Sequence, residues 1–155
     1  MAPDSDAILP RNTRQSLPMA LLRAREAVMA RFRPLLDAAD INEQQWRVIR
    51  VLAESGRLDA TELSARANIL APSLTRMIRA MTDRGLITRH ADSKDRRRVM
   101  LENTEMATAL IRAVSPHSLQ IYRGLERDFG PDRMATLLAL LNDLAALAPP
   151  DERRP

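Results

Sequence analysis

The chemistry available to this chain is cationic, and it is concentrated. Between residues 61 and 100 stand Arg66, Arg76, Arg79, Arg84, Arg89, Lys94, Arg96, Arg97 and Arg98, against only Glu62, Asp83, Asp92 and Asp95. That quarter of the 155 residues carries +5, while the rest sums to −1 and the whole to +4. A positive field confined to one stretch is an electrostatic footprint for a polyanion. Other chemistries are poorly supplied. With no cysteine there are no disulfides, thiolate metal ligands, Cys nucleophiles or thiol redox sensors. Two histidines, His90 and His117, do not make a His-rich metal site. The carboxylates are scattered, no glycine-rich loop cradles a phosphate, and neither histidine has a nucleophile at motif spacing, so an enzyme is disfavoured. We expect no cofactor and no metal.

A second set of residues has the chemistry to hold a small anion. Arg25 falls on the stripe Leu21, Arg25, Val28, Phe32, which turns a guanidinium toward the apolar side of a helix. A charge placed there needs an anion. Glu26 or Glu43 can supply it, the stem can carry the head outward to water, or a ligand carboxylate can bind in bidentate geometry. Trp46, the sole tryptophan, is expected in the core, where it could also wall an aromatic pocket. Arg14, Arg23, Arg47 and His117 are weaker candidates, and His117 beside Pro116 reads first as an exposed or capping group.

The elements that must position these groups follow from periodicity. Residues 1–14 hold Pro3, Pro10 and mixed charges without a period, and 149–155 read the same way, so both are expected to be arms of low intrinsic order. Leu21, Val28, Phe32 and Leu35 predict a first helix from Leu17, bent or ended at Pro34. Trp46, Ile49 and Ala53, with Val48, Val51 and Leu52, predict a central second helix closed by Gly56. Asp59 with Glu62 forms a capping box, and Leu58 with Leu63 a hydrophobic staple, opening a short helix that ends near Asn68. Pro72 opens the next helix, with Leu74, Met77, Ile78 and Met81 inward and Ser73, Thr75, Arg76, Arg79 and Ala80 on or beside the outer face, until Gly85 stops it. Leu86–His90 and Arg98–Leu101 read as two short strands around a polar loop. A helix from about Thr104 to Arg127 is expected to be bent or interrupted at Pro116, and a last one opens at Pro131.

Two short helices joined tightly, the second showing arginine and small polar residues outward, match a helix-turn-helix, whose second helix enters a major groove. Arg76 or Arg79 can fork onto guanine O6 and N7, and Ser73 and Thr75 can reach bases or phosphates. The hairpin adds a wing whose Arg96 or Arg97 suits a narrow minor groove. Asp95 fits such a loop if it orients the Arg97 guanidinium by a hydrogen bond. Solvated helix arginines are common, but joined to the capping box, the Gly85 stop and the Arg-rich hairpin they point to duplex DNA.

The motifs Leu63-Ser-Ala-Arg-Ala, Ser73-Leu-Thr-Arg-Met-Ile, Asp83-Arg-Gly-Leu-Ile-Thr-Arg89 and Asp95-Arg-Arg-Arg resemble, in order and spacing, the MarR family of winged-helix regulators. Residues 20–29, 32–35 and 43–50 are similar to the subgroup that represses homoprotocatechuate (4-hydroxyphenylacetate) degradation operons. The resemblance covers about residues 17–101. It implies a mainly α fold, a winged helix-turn-helix lobe (41–102) with long helices (15–40 and 103–148) forming a dimerisation region. It further implies a homodimer on pseudo-palindromic promoter DNA, usually a repressor released by a small phenolic or aromatic acid. By position, Ser73, Thr75, Arg76 and Arg79 correspond to the recognition helix and Asp95 and Arg97 to the wing's Asp-x-Arg pair; Pro116 departs from the family's long unbroken helix.

The width of the apolar stripe on the final helix independently favours a two-fold partner over a monomeric bundle. No apolar run approaches the ~18 residues a membrane span needs, and Met1-Ala-Pro-Asp-Ser-Asp lacks the order of a signal peptide, so a cytoplasmic protein is expected, with no membrane partner. Two rivals stay open: a DNA-binding protein with no ligand, and a winged-helix module that binds protein instead.

Overall fold

Caps and glycines punctuate the chain where local chemistry demands. The computed structural model describes residues 12–147. In it α1 spans Leu17–Ala38, α2 Glu43–Ser55, α3 Ala60–Ala67, α4 Ala71–Asp83, β1 Ile87–Ala91, β2 Val99–Asn103, α5 Glu105–Phe129 and α6 Pro131–Ala145. The order helix, helix, helix, helix, hairpin, helix, helix is the expected one. Residues 1–11 of the expected N-terminal arm and the expected tail lie outside the described residues. Residues 12–14 do not continue an arm: Gln15 N–H donates to the Asn12 carbonyl, closing a turn before α1.

Of the two outcomes expected at each proline, a bend or a break, the break is set aside. α1 runs through Pro34 to Ala38, and α5 runs through Pro116 to Phe129. A proline removes one i→i−4 bond and crowds the carbonyl four residues back. Burial on both sides of each site outweighs that loss: Phe32 and Leu36 flank Pro34, and Val114 and Ser118 flank Pro116.

The described residues divide into two compact units, with the division inside α5 after Ser118. The first holds the core, built from Leu36, Ile41, Val48, Ile49 and Leu52 around α2, Leu63, Leu74, Ile78 and Met81 from α3 and α4, and Leu86, Ile87 and Leu101 from the hairpin. α2 is central, as its apolar circumference implied. β1 and β2 pair antiparallel, Arg89 opposite Leu101 and Ala91 opposite Val99. The strands sit one to two residues later than expected, leaving Arg98 in the loop. Two strands alone are marginal; Leu58 adds a bridge to Leu101, its N–H donating at 3.2 Å and its carbonyl accepting at 2.7 Å.

In the second unit no described residue is buried, and Leu119, Tyr122, Leu137, Leu138, Leu140 and Leu144 are exposed. The Arg133 guanidinium lies 4.3 Å from the centre of the Phe129 ring. Among the described residues no helix is long and apolar enough to cross a membrane.

Candidate nucleic-acid interface

The α3 N-terminus is built by reciprocal capping: Glu62 N–H donates to Asp59 Oδ1 at 2.8 Å, and Asp59 N–H donates to Glu62 Oε2 at 3.0 Å. Leu58 and Leu63, the staple pair, are both buried. α3 ends at Asn68, whose left-handed φ of 52° an asparagine tolerates well. After a three-residue turn α4 begins, with Pro72 in its first turn. Leu74, Met77, Ile78 and Met81 are buried, Thr75, Arg76, Arg79 and Ala80 are exposed, and Ser73 is half-buried. Thr75 Oγ1 donates back to the Ala71 carbonyl at 3.0 Å, which leaves its lone pairs and methyl for an outside partner. α4 closes in a Schellman arrangement: Leu86 N–H reaches the Met81 carbonyl and Gly85 N–H the Thr82 carbonyl, with Gly85 at φ 74°.

The wing loop is folded by its acids. Lys94 N–H donates to Asp92 Oδ1 at 3.1 Å and Arg97 N–H to Asp95 Oδ1 at 3.0 Å. This corrects the expectation for Asp95, which holds the backbone of Arg97 and not its guanidinium. A short aspartate side chain reaches an N–H two residues on more readily than it reaches a long, solvated head. With both acids turned to the backbone, Lys94, Arg96 and Arg97 are left exposed.

Of the nine cations of this region, Arg66 donates to Ser55 Oγ at 2.9 Å and the other eight fall into two classes. Arg84 pairs with Asp40, and Arg98 with Asp59, at longer range with Glu62 and Asp92. The backbone N–H of Glu62 and then the Arg98 guanidinium hold the Asp59 carboxyl below its usual range, and Asp59 in turn raises Arg98. Arg98 is thereby committed to tying the wing's base to the start of α3. In contrast, Arg76, Arg79, Arg89, Lys94, Arg96 and Arg97 are all exposed and, among the described residues, none has a carboxylate partner. Six uncompensated cations on α4 and the wing form the surface that suits a phosphate backbone. Arg89, on β1, was not singled out as a site residue in the sequence; its place opposite buried Leu101 on the pairing partner is a matter of strand register.

Six residues were candidates for a small anion, and the structure brings two of them together. Arg25 and Arg47, with Arg33, Leu36, Ile41 and Glu43, line an open groove of about 470 Å³ where α1 meets the start of α2. Arg25 pairs with Glu26 at 3.1 Å and with Glu43; Arg33 pairs with Glu43 at 2.6 Å and Glu26 at 2.7 Å. Burial raises the Glu43 carboxyl, but the bonds from Arg25 and Arg33 together outweigh it and hold it below its usual value. Arg33 was missed in the sequence, although its spacing of seven from Glu26 places both on one helix face. Trp46 is half-buried against the core. Arg23 donates to the Thr13 carbonyl at 3.2 Å, beside Arg14 in the N-terminal turn, and His117 is exposed on α5.

Residues 41–99 match the MarR family. The chain is 39% identical over 132 residues to the homoprotocatechuate degradative operon repressor of Escherichia coli, covering 85% of this chain and 89% of that one. Among solved structures it is similar to NadR in complex with 4-hydroxyphenylacetate, at 38% identity and a TM-score of 0.78 over 90% of this chain and 100% of that one. It is also similar to the transcriptional repressor CouR bound to a 23-mer DNA duplex, at 28% identity and a TM-score of 0.76 over 85% and 94%. Motif order, winged helix-turn-helix and similarity over most of the chain agree: the chain belongs to the MarR family and is a transcriptional regulator.

Proposed function

We propose that two copies of this chain bind pseudo-palindromic promoter DNA in the cytoplasm and repress an aromatic-compound catabolic operon, releasing it when a small phenolic or aromatic acid binds. Ser73, Thr75, Arg76 and Arg79 face the major groove, Arg96 and Arg97 the minor groove, and Asp95 shapes the wing that carries them. The observation that carries this reading is the set of six exposed cations without carboxylates on α4 and the wing, whereas Arg25, Arg33, Arg50, Arg57, Arg84 and Arg98 are each paired with an acid. The exposed apolar residues of α1, α5 and α6 supply the material of a dimer interface. The groove carrying Arg25, Arg33 and Arg47 offers an anion three guanidinium groups, and NadR, similar over 90% of this chain, is in complex with 4-hydroxyphenylacetate. An effector acts only so far as it prefers the state that does not bind DNA.

The test is duplex binding across a salt series. Arg76→Ala and Arg97→Ala should weaken binding. Removing a side chain that sits on a phosphate should lower the salt slope by about 1, and removing one that reads a base edge should cost about 1–3 kcal/mol of discrimination. Wild-type protein that retains no duplex at low ionic strength overturns the proposal in favour of a protein-binding module. One observation favours a second reading, a DNA-binding protein without effector: Glu26 and Glu43 already neutralise Arg25 and Arg33. DNA affinity unchanged by 4-hydroxyphenylacetate and other aromatic acids would select it.

A further inference from the structure

The three-residue turn between α3 and α4 sets where the proposed recognition helix starts, and every carbonyl along it is accounted for. The Leu70 carbonyl accepts from Leu74 N–H inside α4, at 2.9 Å. The Ile69 carbonyl accepts from Ser64 Oγ at 2.6 Å, while Ile69 N–H returns to the Ser64 carbonyl at 3.1 Å. The remaining two, Ala67 and Asn68, accept from one group on another helix: Arg47 Nη1 on α2, at 3.0 and 3.2 Å. Orphan carbonyls at a helix C-terminus attract a cation for two reasons, the missing intrahelical donors and the negative end of the helix dipole. Arg47 serves both. The same side chain lines the groove with Arg25, Arg33 and Glu43.

We propose that Arg47 is the positioning residue that couples the groove to the recognition helix: an anion in the groove draws its guanidinium from the Ala67 and Asn68 carbonyls and loosens the turn that sets α4. The effector half of this proposal rests on the function proposed above; the hold of Arg47 on the turn does not. A carboxylate carries a full negative charge where the two carbonyls carry only dipoles, so an ion pair with the guanidinium competes with its charge-assisted bonds to Ala67 and Asn68. Whatever free energy the anion gains only with Arg47 withdrawn is then the coupling between the two sites, and it acts equally in the other direction. Bound DNA, by holding α4 in place, favours the capped turn and disfavours the anion.

The experiment uses the full chain, a duplex selected from a random library, and 4-hydroxyphenylacetate as the probe. Arg47→Met keeps the apolar stem and removes the donors; Arg47→Lys keeps one ammonium that reaches one carbonyl at a time. Hydrogen exchange at residues 68–71 should accelerate about tenfold in the Met variant, the scale of losing bonds to a charged donor. Duplex affinity should fall several-fold. The ratio of duplex affinity without and with 4-hydroxyphenylacetate should move toward one, and the Lys variant should lie between. A Met variant with native exchange in the turn and native duplex affinity overturns the proposal, and so does one that keeps the wild-type ratio. Wild-type protein that neither binds 4-hydroxyphenylacetate by calorimetry nor changes duplex affinity with it refutes the effector reading, while exchange and duplex affinity in the variants still decide whether Arg47 holds the turn.

Discussion

The Arg98 guanidinium closes on Oδ2 of Asp59, Nη2 at 2.5 Å and Nε at 3.1 Å, while Oδ1 of the same carboxylate caps α3 through Glu62 N–H. One side chain therefore starts the helix-turn-helix and anchors the wing, two features 39 residues apart in the chain. Removing it separates their contributions. Asp59→Ala should cost about 1 kcal/mol through the lost cap and also weaken DNA binding by releasing the wing. Arg98→Ala leaves the cap in place, so it should spare most of the stability and still weaken DNA binding. Denaturant unfolding together with duplex titration checks both; equal stability losses in the two variants would contradict the division of labour.

Acid should reveal the same carboxylate. Because the Glu62 N–H and Arg98 hold Asp59 below the unfolded value of about 3.9, its contribution is fully present above that pH and is lost as the pH falls through the depressed folded value. Glu43 is depressed too, the bonds from Arg25 and Arg33 exceeding the opposing effect of burial, so its contribution has the same sign. Unfolding midpoints taken from about pH 5 towards pH 2 should fall less steeply for Asp59→Asn and for Glu43→Gln than for wild type. Parallel slopes would rule out these two groups as the source.

Gly85 at φ 74° is the pivot between α4 and β1. A Cβ there would meet only Met106, its Cε at 3.8 Å, an ordinary van der Waals approach, so the cost of Gly85→Ala is backbone strain alone. We expect about 1–2 kcal/mol, and less for Gly85→Asn, which tolerates the left-handed region. Thermal melts of the two variants should rank in that order.

In α6, Leu138 and Leu140 are 54% and 60% exposed. If these residues lie in the interface of a dimer, Leu138→Glu with Leu140→Glu should yield monomers by light scattering and a loss of duplex affinity. Helix content should be unchanged, since surface substitutions move stability by only about 0.5 kcal/mol. A doubly substituted protein that stays dimeric would place the interface elsewhere.

Local signals in the amino-acid sequence were sufficient for the element order, both ends of α3 and α4, the inward set Leu74, Met77, Ile78 and Met81, and the localisation of positive charge. Each rests on groups within about four residues, where capping, helical spacing and glycine conformation act directly. Local signals left a bend or a break open at Pro34 and Pro116; each helix continues through its proline, with buried side chains on both sides of it. Only the tertiary structure could separate Arg98 and Arg84, spent on Asp59 and Asp40, from Arg76, Arg79, Arg96 and Arg97, which have no acid beside them. It also showed Arg25 and Arg33 sharing Glu43, and Arg47 reaching 20 and 21 residues along the chain to the α3 terminus. An arginine's charge is a property of its type, but whether that charge is neutralised depends on which carboxylate or carbonyl folding brings within about 3 Å of it.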